Sequence, residues 1–129
     1  MTARETPLIL IADDDPEIRK LLKALLSTME CEHIEAEDGA LALESLIVHR
    51  PDLIILDVMM PELNGWEICK YIKERDEYQG TAVIMLTAIG PKVNELTSPL
   101  YGADAYVDKP FNFDDLESKI LQVLSDKRD

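Results

Sequence analysis

Basic residues are scarce in this chain. Thirteen Lys and Arg stand against 26 Asp and Glu, a formal charge of −13. A surface of that sign argues against direct contact with nucleic acid or an anionic membrane, since both favour a basic face. Cysteine is nearly absent too. Cys31 and Cys69 have no metal-ligand spacing, and we read them as buried free thiols of a reducing cytosol. Long apolar runs are missing: none approaches the ~20 residues of a membrane span. The opening "MTARETP" is too short and too polar for a secretory signal. The chain shows no internal repeat, no low-complexity stretch and no Gly/Ser linker. It has neither GxxxxGK[ST] nor GxGxxG, which argues against a nucleotide-binding module. These absences point to one cytoplasmic domain over residues 1–129, with no membrane partner.

What is present is an alternation of two patterns. Short apolar runs occur at "LILIA" (8–12), "LIIL" (53–56) and "AVIML" (82–86). Such runs read as strands buried on both faces. "HIEAE" (33–37) is more polar and suits an edge strand, and "AYV" (105–107) is a short fifth strand. Between them lie amphipathic helices. Ile18, Leu21, Leu22, Leu25, Leu26 and Met29 fall on one helical face. Ala42, Leu43, Leu46 and Ile47 mark a second helix. Ile68 and Ile72 mark a third, from about Gly65 to Arg75. Phe113, Leu116, Ile120, Val123 and Leu124 mark the last. Asp15, Asp38, Asn64 and Asn112 stand where N-caps belong, and Pro16 suits a first helical position. The fourth crossover is irregular. Pro91 can start a helix, but Pro99 sits badly inside one. A distorted or partly unwound fourth helix is expected there.

The order β-α-β-α-β-α-β-α-β-α implies a doubly wound α/β fold, with helices on both faces of a five-stranded parallel sheet. Strand order 2-1-3-4-5 is the natural arrangement. Sites in such sheets form beyond the carboxyl ends of the strands, at the point where the order reverses. The residues at those ends are Asp13 and Asp14, then Asp57, Thr87, and finally Asp108 with Lys109. Asp13, Asp14 and Asp57 should converge on one edge, with Thr87 and Lys109 on the far side. Three close carboxylates stay ionised only beside a cation, and oxygen donors select a hard ion such as Mg²⁺. Lys109 is a point charge suited to a phosphate oxygen, and Thr87 offers a hydroxyl. A carboxylate among these groups is set up to accept a phosphoryl group. The third carboxylate of the opening run, Asp15, instead caps the helix that Pro16 begins.

The stretches "LILIADDDPEIRKLL", "PDLIILDVMMPELNGWE", "VIMLTA" and "GADAYVDKPF" together resemble the receiver domains of two-component response regulators. The likeness runs from about Pro7 to Leu124 and implies a flavodoxin-like (βα)5 fold. It implies Asp57 as phosphoacceptor, and Asp13, Asp14, Asp57 and the Met59 backbone carbonyl as Mg²⁺ ligands. Thr87 is implied to bond the phosphoryl group, and Tyr106 to change rotamer with it. Lys109 is implied to bind the phosphate, before Pro110 with its preceding bond cis. Pro61 and Gly65 match the loop that shapes the site. Met59 and Ile89 stand where the family tunes attack of water, and both are apolar here, so slow self-dephosphorylation is expected. The implied partners are a sensor histidine kinase or phosphotransfer protein and a downstream output protein or domain. The domain is then a switch that catalyses its own phosphorylation and dephosphorylation, not a conventional turnover enzyme. Two alternatives stand beside this reading: a Mg²⁺-dependent aspartate-based phosphatase, and a receiver that acts as a protein-interaction module without phosphate. The first would want an acid at Met59 and a cap domain. The second leaves five matching residues unused.

Overall fold

The computed structural model describes residues 6–87 and 103–128. Five strands form one parallel sheet in the order β2-β1-β3-β4-β5. They are β1 (Leu8–Ala12), β2 (Glu32–Ala36), β3 (Leu53–Asp57), β4 (Ala82–Thr87) and β5 (Ala105–Asp108). The helices are α1 (Pro16–Leu26), α2 (Gly39–His49), α3 (Gly65–Lys73) and the C-terminal α4 (Phe113–Arg128). A short 3₁₀ turn spans Asp76–Tyr78. The fourth crossover, with Ile89, Pro91 and Pro99, lies outside the described residues.

Alternation along the strands builds two cores. Ile9, Ile11, Leu53, Ile55, Ile84 and Leu86 face α1 and α4. Leu10, Ala12, Ile54, Leu56, Val83 and Met85 face α2 and α3. Neither side of the central strands meets water, which is why their sequence is unbroken by polar residues. Each fully buried Leu or Ile contributes about 2 kcal/mol.

All four expected caps are made. Asp15 accepts from the Glu17 amide at 2.9 Å and Asp38 from Leu41 at 2.8 Å. Asn64 accepts from Glu67 at 3.0 Å and Asn112 from Asp115 at 3.1 Å. Each satisfies an amide that the first helical turn leaves open.

Several expectations are corrected. Leu21, Ile47 and Phe113, read as core-facing, are 46%, 45% and 40% exposed. A helix lying on a sheet buries a stripe narrower than its apolar periodicity. Cys69 is buried, but Cys31 is only half-buried. The second strand starts at Glu32, one residue early, because the Glu32 amide bonds the Pro7 carbonyl at 2.9 Å and extends the ladder. The third helix stops at Lys73 rather than Arg75. Arg75 instead lies over the Tyr71 ring at 3.5 Å, and Tyr78 of the 3₁₀ turn is buried beside that ring. No helix among the described residues is long and apolar enough to cross a membrane.

Candidate functional site

The sheet delivers four of the predicted residues to one place. The β1 ladder ends at Ala12, so Asp13 and Asp14 leave the sheet as extended chain. Successive side chains there point opposite ways. Asp13 is fully buried while Asp14 is exposed. Asp57 closes β3 and is 4% exposed. One carboxylate oxygen from each of Asp13, Asp14 and Asp57 lies within 4.8 Å of the others. Lys109 enters from just past β5. Its Nζ lies 2.9 Å from Asp13 Oδ2 and 3.3 Å from Asp57 Oδ1. The Lys109 amide also donates to the Thr87 carbonyl at 2.8 Å, which fixes the lysine against the end of β4. Thr87 itself is buried.

The surrounding loops are drawn in by hydrogen bonds. The Met59 amide donates to Asp57 Oδ1 at 3.2 Å, so Met59 lies against the cluster although its side chain is 69% exposed. The Pro61 carbonyl accepts from the Gly39 and Leu63 amides at 3.2 and 2.9 Å. The Gly65 amide donates to the Val58 carbonyl at 2.9 Å. A Cβ on Gly65 would overlap the Asp57 carbonyl oxygen and crowd Val58 Cα. Gly65→Ala is therefore expected to lower stability by about 2 kcal/mol in urea denaturation and to displace Asp57. Unchanged stability would mean that the α3 start can retreat freely. The Lys109–Pro110 peptide bond is cis, as the resemblance implies. Tyr106 lies on β5, half-buried, with its ring 6.1 Å from that of Trp66 at a 41° tilt. Ile89 lies outside the described residues.

Burial and the neighbouring Asp13 push the Asp57 carboxyl up from 3.8 to about 7, against the pull of Lys109 and the Met59 amide. Burial acts to lower the Lys109 pKa, but Asp13 and Asp57 outweigh it and hold the ammonium above its ordinary value. One lysine thus pairs with two of the three carboxylates. Asp13 Oδ2 is buried, and the ammonium of Lys109 that it contacts is shared with Asp57. A buried carboxylate oxygen in that state, within an all-oxygen donor set, fits a hard divalent cation such as Mg²⁺.

Residues 9–121 match the family model described as "Response regulator receiver domain". The chain belongs to the response regulator receiver family. This receiver is 41% identical over 116 residues to a probable transcriptional regulator ycf27 of Galdieria sulphuraria, covering 90% of this chain and 44% of that protein. It is also 41% identical over 116 residues to the transcriptional regulatory protein CpxR of Escherichia coli, covering 90% of this chain and 48% of that one. The receiver chain thus spans less than half the length of these relatives. Among solved structures it is similar to the chemotaxis response regulator CheY4 of Vibrio cholerae. The TM-score is 0.84 at 31% identity, over 92% of this chain and 99% of that one. The receiver domain of Francisella response regulator 1452 also gives a TM-score of 0.84, at 29% identity over 93% and 98% of the two chains. These solved structures share the flavodoxin-like order of the sheet. The receiver is a domain of two-component signalling.

Sequence reasoning overlooked Arg19. Its Nη1 donates to the Asp13 carbonyl at 2.8 Å and its Nε to Glu35 Oε1 at 3.0 Å. In sequence it is merely a charge on the polar face of α1. Asp104 was overlooked as well. It accepts from the Val83 amide at 2.8 Å and pairs with Lys73 of α3 at 2.9 Å, tying the start of β5 to its neighbours.

Proposed function

We propose that Asp57 accepts a phosphoryl group from the phosphohistidine of a sensor kinase or phosphotransfer protein. The observation that carries this is the cluster of buried Asp13 and Asp57 with half-buried Lys109 at the carboxyl edge of the sheet, with Asp14 at its mouth. An Asp57 carboxylate oxygen forms a bond to phosphorus as the phosphorus–nitrogen bond breaks. The histidine nitrogen keeps the electron pair. Asp57 must be ionised to attack, and Lys109 holds part of that charge in place. Lys109 then balances a phosphoryl oxygen in the acyl phosphate, and the Thr87 hydroxyl donates to another. Asp13, Asp14, Asp57 and the Met59 carbonyl would hold Mg²⁺, whose charge, when bound, lets the carboxylates and the phosphoryl oxygens share one small site.

Phosphorylation then acts as a switch. The phosphoryl group favours the conformation in which Thr87 and Tyr106 turn toward it, and the affinity for an output protein or domain changes by that difference. The receiver works in the cytoplasm and makes no direct contact with nucleic acid. The apolar Met59 shields the acyl phosphate from water and prolongs its life.

The test uses beryllofluoride, a stable mimic of the aspartyl phosphoryl group. Added with Mg²⁺, it should change Trp66 fluorescence in the wild type and leave Asp57→Ala unchanged. An equal response in both proteins would contradict the assignment of Asp57.

A further inference from the structure

Asp13 stands one residue past the end of both of its ladders, whose last pairs are Ala12 with Ala36 and Ala12 with Leu56. Its amide still reaches the Ala36 carbonyl at 3.2 Å. Its own carbonyl is taken by Arg19 Nη1 at 2.8 Å. The other edge of that guanidinium is held by Glu35 Oε1 at 3.0 Å, and Lys23 grips Glu35 Oε2 at 2.8 Å. Only 14% of the Arg19 side chain is exposed. A planar fork is thus fixed between α1, the edge strand β2 and the chain beyond β1.

The Asp13 carbonyl lies in the peptide plane that joins Asp13 to Asp14. Holding that oxygen restrains the rotation of the plane, and with it ψ of Asp13 and φ of Asp14, the torsions that set the relative directions in which the two carboxylates leave the backbone. We propose that Arg19 is a positioning residue: by holding this plane it sets the separation of the Asp13 and Asp14 carboxylates, and so the affinity of the site for a divalent cation. The inference rests on the reading of those two residues as Mg²⁺ ligands.

Charge and position make opposite demands on Arg19. A positive charge near the site repels Mg²⁺, so if charge alone mattered, Arg19→Gln would bind the ion more tightly. If position matters, Arg19→Gln weakens binding. Arg19→Lys separates the two effects further. It keeps the charge but replaces the rigid fork with a flexible point donor. A merely structural ion pair, partly open to water, would contribute about 0–1 kcal/mol to folding and nothing to metal affinity.

The experiment is a Mg²⁺ titration of Trp66 fluorescence on the full chain, with amide hydrogen exchange of the metal-free protein as a second readout. The Asp15 amide, bonded to Asp13 Oδ1 at 2.9 Å, reports the position of the Asp13 carboxylate. Both Arg19→Lys and Arg19→Gln are expected to weaken Mg²⁺ binding by about tenfold or more, as loss of a supporting hydrogen bond behind metal ligands does. Exchange at Asp15 should quicken in both. Lys23→Ala, which spares the bond from Arg19 to the carbonyl, should stay within about twofold of wild type. Wild-type affinity in Arg19→Lys, or tighter binding in Arg19→Gln, overturns the proposal. Absence of any Mg²⁺ response in the wild type overturns the metal reading beneath it.

Discussion

Lys109→Met is expected to cut phosphorylation by acetyl phosphate at least about 100-fold, the scale of losing one preorganised charge at a reacting centre. Two effects act in the same direction. The ammonium sits between Asp13 Oδ2 and Asp57 Oδ1, at 2.9 and 3.3 Å. Without it, Asp57 and its acidic neighbour repel each other across a buried gap, and the raised Asp57 pKa rises further. Less of the nucleophile is then ionised at neutral pH until Mg²⁺ binds. The phosphoryl oxygens also lose the cation that would balance them. Initial rates, read by intact mass at saturating Mg²⁺, measure the loss. Lys109→Arg keeps the charge and separates that contribution from the fit of the smaller head group. A methionine variant within about threefold of wild type would remove Lys109 from the chemistry.

The second large effect is on stability, and it runs against the usual behaviour of a carboxylate. In the folded, metal-free protein Asp57 holds its proton up to about pH 7, against 3.8 for the free group. Below the lower value both states are protonated and Asp57 contributes no difference. Between the two values the unfolded chain has released a proton that the folded chain keeps, so stability falls as pH rises. Above pH 7 the full penalty applies. A carboxylate this well buried places it at about 2–4 kcal/mol. Asp57→Asn removes the ionisation and should therefore be more stable than wild type by that amount at pH 8, and equal to it near pH 4. Urea denaturation with EDTA present measures the gap. Adding Mg²⁺ should close it, because the ion neutralises the cluster in the wild type and binds the variant less well. A gap that is the same at both pH values would mean that folding does not raise the Asp57 pKa.

The sheet was legible because its central strands are buried on both faces, which leaves no alternation to misread. The helix starts were legible because Asp15, Asp38, Asn64 and Asn112 each bond an amide two or three residues on. The convergence of Asp13, Asp14 and Asp57 followed from topology, since parallel strands bring their carboxyl ends to one edge; that Lys109 reaches across to pair directly with Asp13 and Asp57 did not. What sequence could not show were contacts that depend on where helices sit on the sheet. Leu21, Ile47 and Phe113 obey helical periodicity yet lie at the margins of their stripes. The split between buried Asp13 and exposed Asp14 depends on which way the chain turns after β1. Arg19 reaches the Asp13 carbonyl only because α1 folds back over the end of β2, where Glu35 holds the other side of its head group. No local pattern distinguishes it from the other charges of that helix.

The most direct measurement locates the phosphoryl group itself. The chain is incubated with acetyl phosphate and Mg²⁺, treated with borohydride to reduce the acyl phosphate, and mapped by peptide mass spectrometry. Reduction should convert one residue, Asp57, to homoserine, and only when both the donor and Mg²⁺ were present. Reduction at another acidic residue, or none in a protein that remains folded and binds Mg²⁺, would rule out Asp57 as the phosphoacceptor.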